Sequence, residues 1–284
     1  MRPSIPSTLL LTLALTACAD AGGAAGDPAW RLDPVWDDGR AEYCAYTVEW
    51  PRYGRIYDGT ALLVTVKEPW APDLEVKADR PRPDGFEVLK LNHIRDVGTG
   101  AYTYRQMASL FLRRDSGAVR KLAASSAEAC GLSTAWLLDG SLETRSYFDG
   151  EGESRRPVPP GVLPEDGLPA LLREYVAGEP PASVTVLPTV LTGRFGDLTP
   201  VAMDLRRSGP AAVATSTGPV PAIEVSLEGE GRRLVYSFDA RPPHRLLRFA
   251  ASDGTLYEVA KCERIPYWRM NAPEDRDWLP EALR

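Results

Sequence analysis

The chain has 284 residues, with 33 Lys and Arg against 39 Asp and Glu, 44% hydrophobic residues, and 24 Gly plus 26 Pro. A formal charge of -6 gives no electrostatic footprint for nucleic acid, and ordinary apolar and charged shares exclude both a disordered chain and a bundle of membrane-spanning helices. The length allows a substantial buried core, in one large or two modest domains.

At the N-terminus, Met1-Arg2, the apolar run through Leu9–Leu15 and the small residues Thr16-Ala17 read as a secretory signal. The run is about half of the roughly 20 residues a spanning helix needs, so it is expected to be removed rather than retained. Leu15-Thr16-Ala17-Cys18 resembles the lipobox of bacterial lipoproteins. That resemblance implies cleavage before Cys18, diacylation of its thiol and attachment to a membrane through the lipid. Ala19 after the cysteine implies sorting to the outer membrane, facing the periplasm. The expected organisation is a signal peptide over 1–17, a flexible tether of small residues over 18–29, and a β-rich domain over 30–284.

The remaining thiols, Cys44, Cys130 and Cys262, would then lie in an oxidising compartment and permit at most one intramolecular disulfide. The expected pair is Cys130–Cys262. Cys44, within Tyr43-Cys44-Ala45-Tyr46, suits a buried strand position as a small hydrophobe.

Past the tether the hydrophobic period is two. Leu62, Val64 and Val66 share one face, as do Ile223, Val225 and Leu227, which predicts antiparallel strands with one wet and one dry side. Further strands are expected at 43–50, 86–96, 101–114, 118–128, 132–138, 141–148, 183–190, 200–206, 210–216, 231–238, 245–251 and 255–263. Asp139-Gly140 and Asp253-Gly254, each between two apolar runs, are the strongest hairpin signals. One helix is predicted, over Gly167–Gly178, with Pro169 in its first turn and Leu168, Leu171, Leu172, Tyr175 and Val176 on one face. The Pro-rich segment from Gly150 to Glu165 reads as a long crossing loop within one sheet, or as a division near 150–167. The predicted fold class is mainly β: a large curved antiparallel sheet or open barrel with one short helix.

The chain has no GxSxG, HExxH, P-loop or dinucleotide-binding glycine motif. Its two histidines are His93, alternating with Leu91 as a sheet-wall residue, and His244, after Pro242-Pro243 as an exposed turn residue. Asp149-Gly150-Glu151-Gly152-Glu153 lacks calcium-loop spacing and reads as a solvated turn. No cofactor, metal site or nucleic-acid partner is expected, and no catalytic residue is assigned.

Several segments carry a family resemblance: Trp36-Asp37-Asp38-Gly39-Arg40-Ala41-Glu42, Arg52-Tyr53-Gly54, Asp58-Gly59-Thr60-Ala61, Val88-Leu89-Lys90-Leu91-Asn92 and Tyr147-Phe148-Asp149-Gly150-Glu151. They resemble a family of uncharacterised bacterial secreted proteins and lipoproteins, some of which carry the label septum formation inhibitor Maf. True Maf proteins are cytoplasmic nucleotide pyrophosphatases with an N-terminal Ser-x-Ser-Pro-Arg-Arg loop on an α/β fold. This chain has neither the loop nor the pattern, so the label reads as a mis-transfer and brings no catalytic residue. The function expected is a non-enzymatic envelope binding module, its concavity holding an apolar ligand or an envelope protein. The alternatives are an Asp/Glu-dependent hydrolase of envelope polymer and a purely structural surface lipoprotein.

Overall fold

Period-two alternation is realised along most of the chain. In the computed structural model, which describes residues 26–215 and 218–279, the first run of strands is β1 (Ala41–Arg52), β2 (Arg55–Ala71), β3 (Val76–Lys77), β4 (Phe86–Gly98), β5 (Thr103–Arg113), β6 (Val119–Glu128), β7 (Gly131–Leu138), β8 (Ser141–Arg145) and β9 (Glu153–Pro157). The second is β10 (Leu163–Pro164), β11 (Ser183–Leu187), β12 (Val201–Thr215), β13 (Gly218–Gly229), β14 (Arg232–Asp239), β15 (Leu246–Ala251) and β16 (Leu256–Ile265). The expected signal peptide, Cys18 and the first part of the tether lie outside the described residues.

The described strands form one sheet. Its order runs from β10 through β16, continues with β1, β2 and β4, and ends at β9, with β3 added beside β2. Every pairing is antiparallel except the two-residue parallel contact of β10 with β11. The sheet curves without closing. β5 shows why the curve has an inside: Tyr104, Gln106, Ala108, Leu110 and Leu112 are buried, while Thr103, Arg105 and Met107 face out. Each buried Leu side chain contributes about 1.5–3 kcal/mol, and the apolar cluster spans residues from β1 to β16.

Turn chemistry sets the hairpins. Asp139 and Gly140 both take positive φ, 48° and 69°, as a two-residue type I′ turn between β7 and β8 requires. Tyr53 and Gly54 do the same between β1 and β2, at 52° and 71°.

Three expectations change. The helix predicted over 167–178 appears as two pieces, α1 (Leu168–Leu171) and α2 (Glu174–Ala177), after a short 3₁₀ turn at Glu165–Gly167. Arg173 explains the break: its Nε donates to the Pro169 carbonyl at 3.1 Å, which an α-helix would reserve for the Arg173 amide, and that amide bonds Ala170 instead. The Pro-rich segment 150–165 is not loop throughout, since it contains β9 and β10, the two edges of the sheet. Before the sheet, a further helical turn at Ala29–Leu32 and a 3₁₀ turn at Pro34–Asp37 bury Trp30 and Trp36 edge to face, 6.3 Å apart. Packing therefore starts before residue 30: the Asp27 amide already donates to the Glu174 carbonyl at 2.8 Å.

The disulfide expectation is also corrected. Cys44 and Cys262 are bonded, whereas Cys130 is free and exposed at the β6–β7 turn. The cause is topological. β1 and β16 are neighbours, and their register sets Cys44 opposite Cys262 with Cα atoms 4.0 Å apart. Cys44 is buried as anticipated, but as half of a bridge.

The strand directions sort the connections into two ends. The β1–β2, β4–β5, β6–β7, β13–β14 and β15–β16 turns gather at one. The N-terminal segment lies at the other, where Arg114 beside the β5–β6 turn donates to the Arg31 carbonyl and Arg31 donates to the Asp115 carbonyl.

Candidate functional site

The segment Glu165–Val176 runs into the hollow of the sheet and buries Leu168, Leu171, Leu172 and Val176 there. What remains is a cavity of about 200 Å³ between the start of α1 and the walls of β1, β2, β4, β14, β15 and β16. It lies toward the end that carries the β1–β2, β13–β14 and β15–β16 turns, where Arg52, Arg232, exposed Asp253 and Thr255 contribute to its lining.

Its lining mixes rings with charge. Trp50, Tyr236, Phe249 and Tyr257 supply aromatic surface, and Tyr236 stacks on Phe249 with centroids 4.6 Å apart. On the β4 wall, Leu91, His93 and Arg95 project to one side by the two-residue period. Arg95 is buried and donates from Nε to Gln106 Oε1 at 2.9 Å, from Nη2 to the Leu191 carbonyl at 2.8 Å, and from Nη1 to the Tyr257 hydroxyl at 3.4 Å. Gln106 passes the network to Ser126 at 2.9 Å. His93 Nε2 lies 3.1 Å from the same Tyr257 hydroxyl.

The carboxylates are committed. Glu165 accepts both terminal nitrogens of Arg232, at 2.8 and 3.0 Å. Asp166 accepts the Thr189 hydroxyl at 2.5 Å on one oxygen and the Val190 amide at 2.8 Å on the other. Burial pushes the Asp166 carboxyl up to about 6, against the opposing pull of those two hydrogen bonds. Burial, then the nearby Arg95 charge, push His93 down to about 3. Close to neutral pH the imidazole is therefore uncharged. It faces a phenol rather than a nucleophile, and neither Glu165 nor Asp166 is disengaged for acid–base work.

These opposed shifts make a pH prediction. Unfolded, His93 takes up a proton near 6.5, which the fold refuses until about 3, so stability is lost as pH falls through that interval. Folded, Asp166 holds its proton to about 6 against 3.8 ordinarily, so its contribution is lost as pH rises through that interval. Between about pH 4 and 6 the two slopes, each about 1.4 kcal/mol per pH unit, oppose one another. His93→Gln deletes one of them. The variant should gain stability relative to the parent by about that slope as pH falls from 6 to 4, measured by urea unfolding. Parallel curves would show that His93 is not held neutral by the fold.

Of the residues singled out in the sequence, His93 is a wall residue as expected and also lines the cavity. His244 is not an exposed turn residue: it is buried, with Nδ1 3.1 Å from the Asp239 carbonyl and a φ of 58° that turns the ring inward after Pro242-Pro243. In the acidic 149–153 turn, Glu151 accepts the Ser146 hydroxyl and the Phe195 amide. No group of three or more metal-ligating side chains occurs among the described residues. Neither Cys130 nor Cys262 lies at the cavity. Arg52, Arg95, Glu165, Asp166 and Arg232 were not anticipated. A signal did exist for Arg95, two residues beyond His93 on the inward face of a strand.

No helix among the described residues is long and apolar enough to cross a membrane. No family model matches the chain, and no curated protein matches it in sequence. In structure it is similar to a beta-barrel-like protein of a domain of unknown function, DUF1849, from Brucella abortus, with 12% sequence identity, a TM-score of 0.47, and coverage of 79% of this chain and 98% of that one.

Proposed function

We propose that this is a lipid-anchored envelope protein, held at the outer membrane and facing the periplasm, that serves as a non-enzymatic binding module for a small molecule. The observation that carries the binding reading is the cavity itself: about 200 Å³ of space lined by rings and side-chain donors within the curve of the sheet. A cavity of about 150 Å³ accepts benzene, so this volume suits one substituted ring rather than an acyl chain. Against hydrolysis stand the committed carboxylates and the absence of a nucleophile at His93. The anchoring reading rests on Leu15-Thr16-Ala17-Cys18 and the short small-residue segment after it.

Native mass spectrometry of the full chain, produced in a bacterial host and released in mild detergent, tests both parts. The expected result is an N-terminal lipid at Cys18, absent from uncleaved Cys18→Ala, and a small-molecule adduct. Leu63, buried and on the cavity wall, provides the control. Leu63→Trp fills the space and should abolish the adduct. An adduct retained equally by that variant would place binding elsewhere, and normal processing of Cys18→Ala would refute the anchor.

A further inference from the structure

The charges around the cavity divide into those already spent and those not. Glu165 and Arg232 neutralise each other, and Asp166, whose hydrogen-bond partners on both oxygens are neutral, feels the Arg95 charge without contacting it. Asp253 accepts the Thr255 amide at the turn it closes. Arg52 and Arg95 differ. Both line the cavity, and among the described residues neither has a carboxylate within ion-pair distance; their hydrogen bonds go to neutral groups. The Arg52 Nη2 reaches the Tyr104 hydroxyl at 3.5 Å with the Tyr53 hydroxyl also beside the guanidinium, and its Nε is buried without an acceptor. Arg95 leaves Nη1 with a single long bond of 3.4 Å to Tyr257.

The two guanidiniums also lie against one ring. Their Cζ atoms are 5.6 Å (Arg52) and 4.8 Å (Arg95) from the Trp50 centroid, and Arg52 is held over Tyr53 and Tyr104 as well, at 4.9 and 5.5 Å. Tyr53 is itself fixed by hydroxyl bonds of 2.9 Å to Tyr102 and 2.6 Å to Tyr104. Two like charges on one indole carry a repulsive cost at reduced dielectric, which the Asp166 carboxylate near Arg95 offsets in part. Aromatic faces soften that cost without cancelling it. An anion between them would cancel it, and a planar carboxylate matches the fork of guanidinium donors.

We propose that the cavity ligand is a small monoanion with a flat apolar body, its carboxylate meeting Arg52 and Arg95 beside Trp50 and its ring lying toward Phe249 and Tyr236. The inference rests on the reading of the cavity as a binding site. It adds the sign of the charge and the place of the head group.

Isothermal titration of the full chain with benzoate, benzyl alcohol and benzylammonium as probes decides it. Benzoate should bind at least tenfold more tightly than benzyl alcohol, with benzylammonium weakest. Arg52→Gln should remove the preference for benzoate over benzyl alcohol, Arg52→Lys should keep part of it, and Leu63→Trp should remove binding of all three. Benzyl alcohol or benzylammonium binding as tightly as benzoate, or a preference that survives Arg52→Gln, overturns the anion assignment. Sensitivity to Leu63→Trp would in that case still support the cavity. Failure of all three probes overturns the assignment too, and the cavity reading then stands or falls on the adduct that Leu63→Trp should abolish.

Discussion

Replacing both Cys44 and Cys262 with Ala is expected to cost up to about 5 kcal/mol of unfolding free energy, the largest effect anticipated for any change in this chain. The bridge spans 218 residues, and the entropy removed from an unfolded chain grows with the logarithm of the closed loop. It also joins β1 to β16, the pairing through which the earlier and later halves of the sheet meet. Urea unfolding of parent and double variant, with the parent repeated under reductant, gives the difference. The same samples settle the thiols. Iodoacetamide should label Cys130 in the native state, and Cys44 and Cys262 only after reduction in denaturant. Native labelling of Cys44, or unchanged midpoints, would remove the bridge from any account of stability.

The second large effect is expected at Glu42 and Arg173. Arg173, 2% exposed, pairs with Glu42 at 2.6 Å, donates to the Pro169 and Pro243 carbonyls at 3.1 and 3.2 Å, and lies 5.4 Å from the Trp30 ring centroid. One side chain thus ties the broken helix to β1, to the β14–β15 connection and to the N-terminal turn. Glu42→Leu leaves that cation buried without its counter-charge, a loss of about 3–5 kcal/mol. Adding Arg173→Met removes the stranded charge and should recover much of the loss, though not the two carbonyl bonds. Thermal and urea unfolding of the single and double variants measure this. A double variant no more stable than Glu42→Leu would mean that packing, rather than charge, holds the segment.

Strand positions were legible in the sequence because burial on one face of a sheet enforces the two-residue period. The run expected at 101–114 is β5, with buried and exposed residues alternating along it, and Asp139-Gly140 announced its turn. Strand neighbours were not legible. Nothing local in Tyr43-Cys44-Ala45-Tyr46 reveals that its partner is more than two hundred residues away, so the wrong cysteines were paired. The short edge strands β9 and β10 carry two to five residues among prolines, too few to show a period. The cavity was least legible of all. Glu165 and Asp166 read as ordinary residues before a helix, and only the folded sheet brings Arg232 and Thr189 to them.

The two ends of the sheet bear differently on a tethered molecule. Asp27 docks on Glu174 at the end that holds Arg31 and the β5–β6 turn, while the cavity lies toward the end of the β1–β2 turn. The twelve residues of β1 between them extend roughly 40 Å along the strand. If Cys18 carries the proposed lipid, the eight residues between it and Asp27 can span at most about 30 Å. Under the proposed anchoring, the docked end would be the one held nearer the bilayer, with the cavity at the far end of β1.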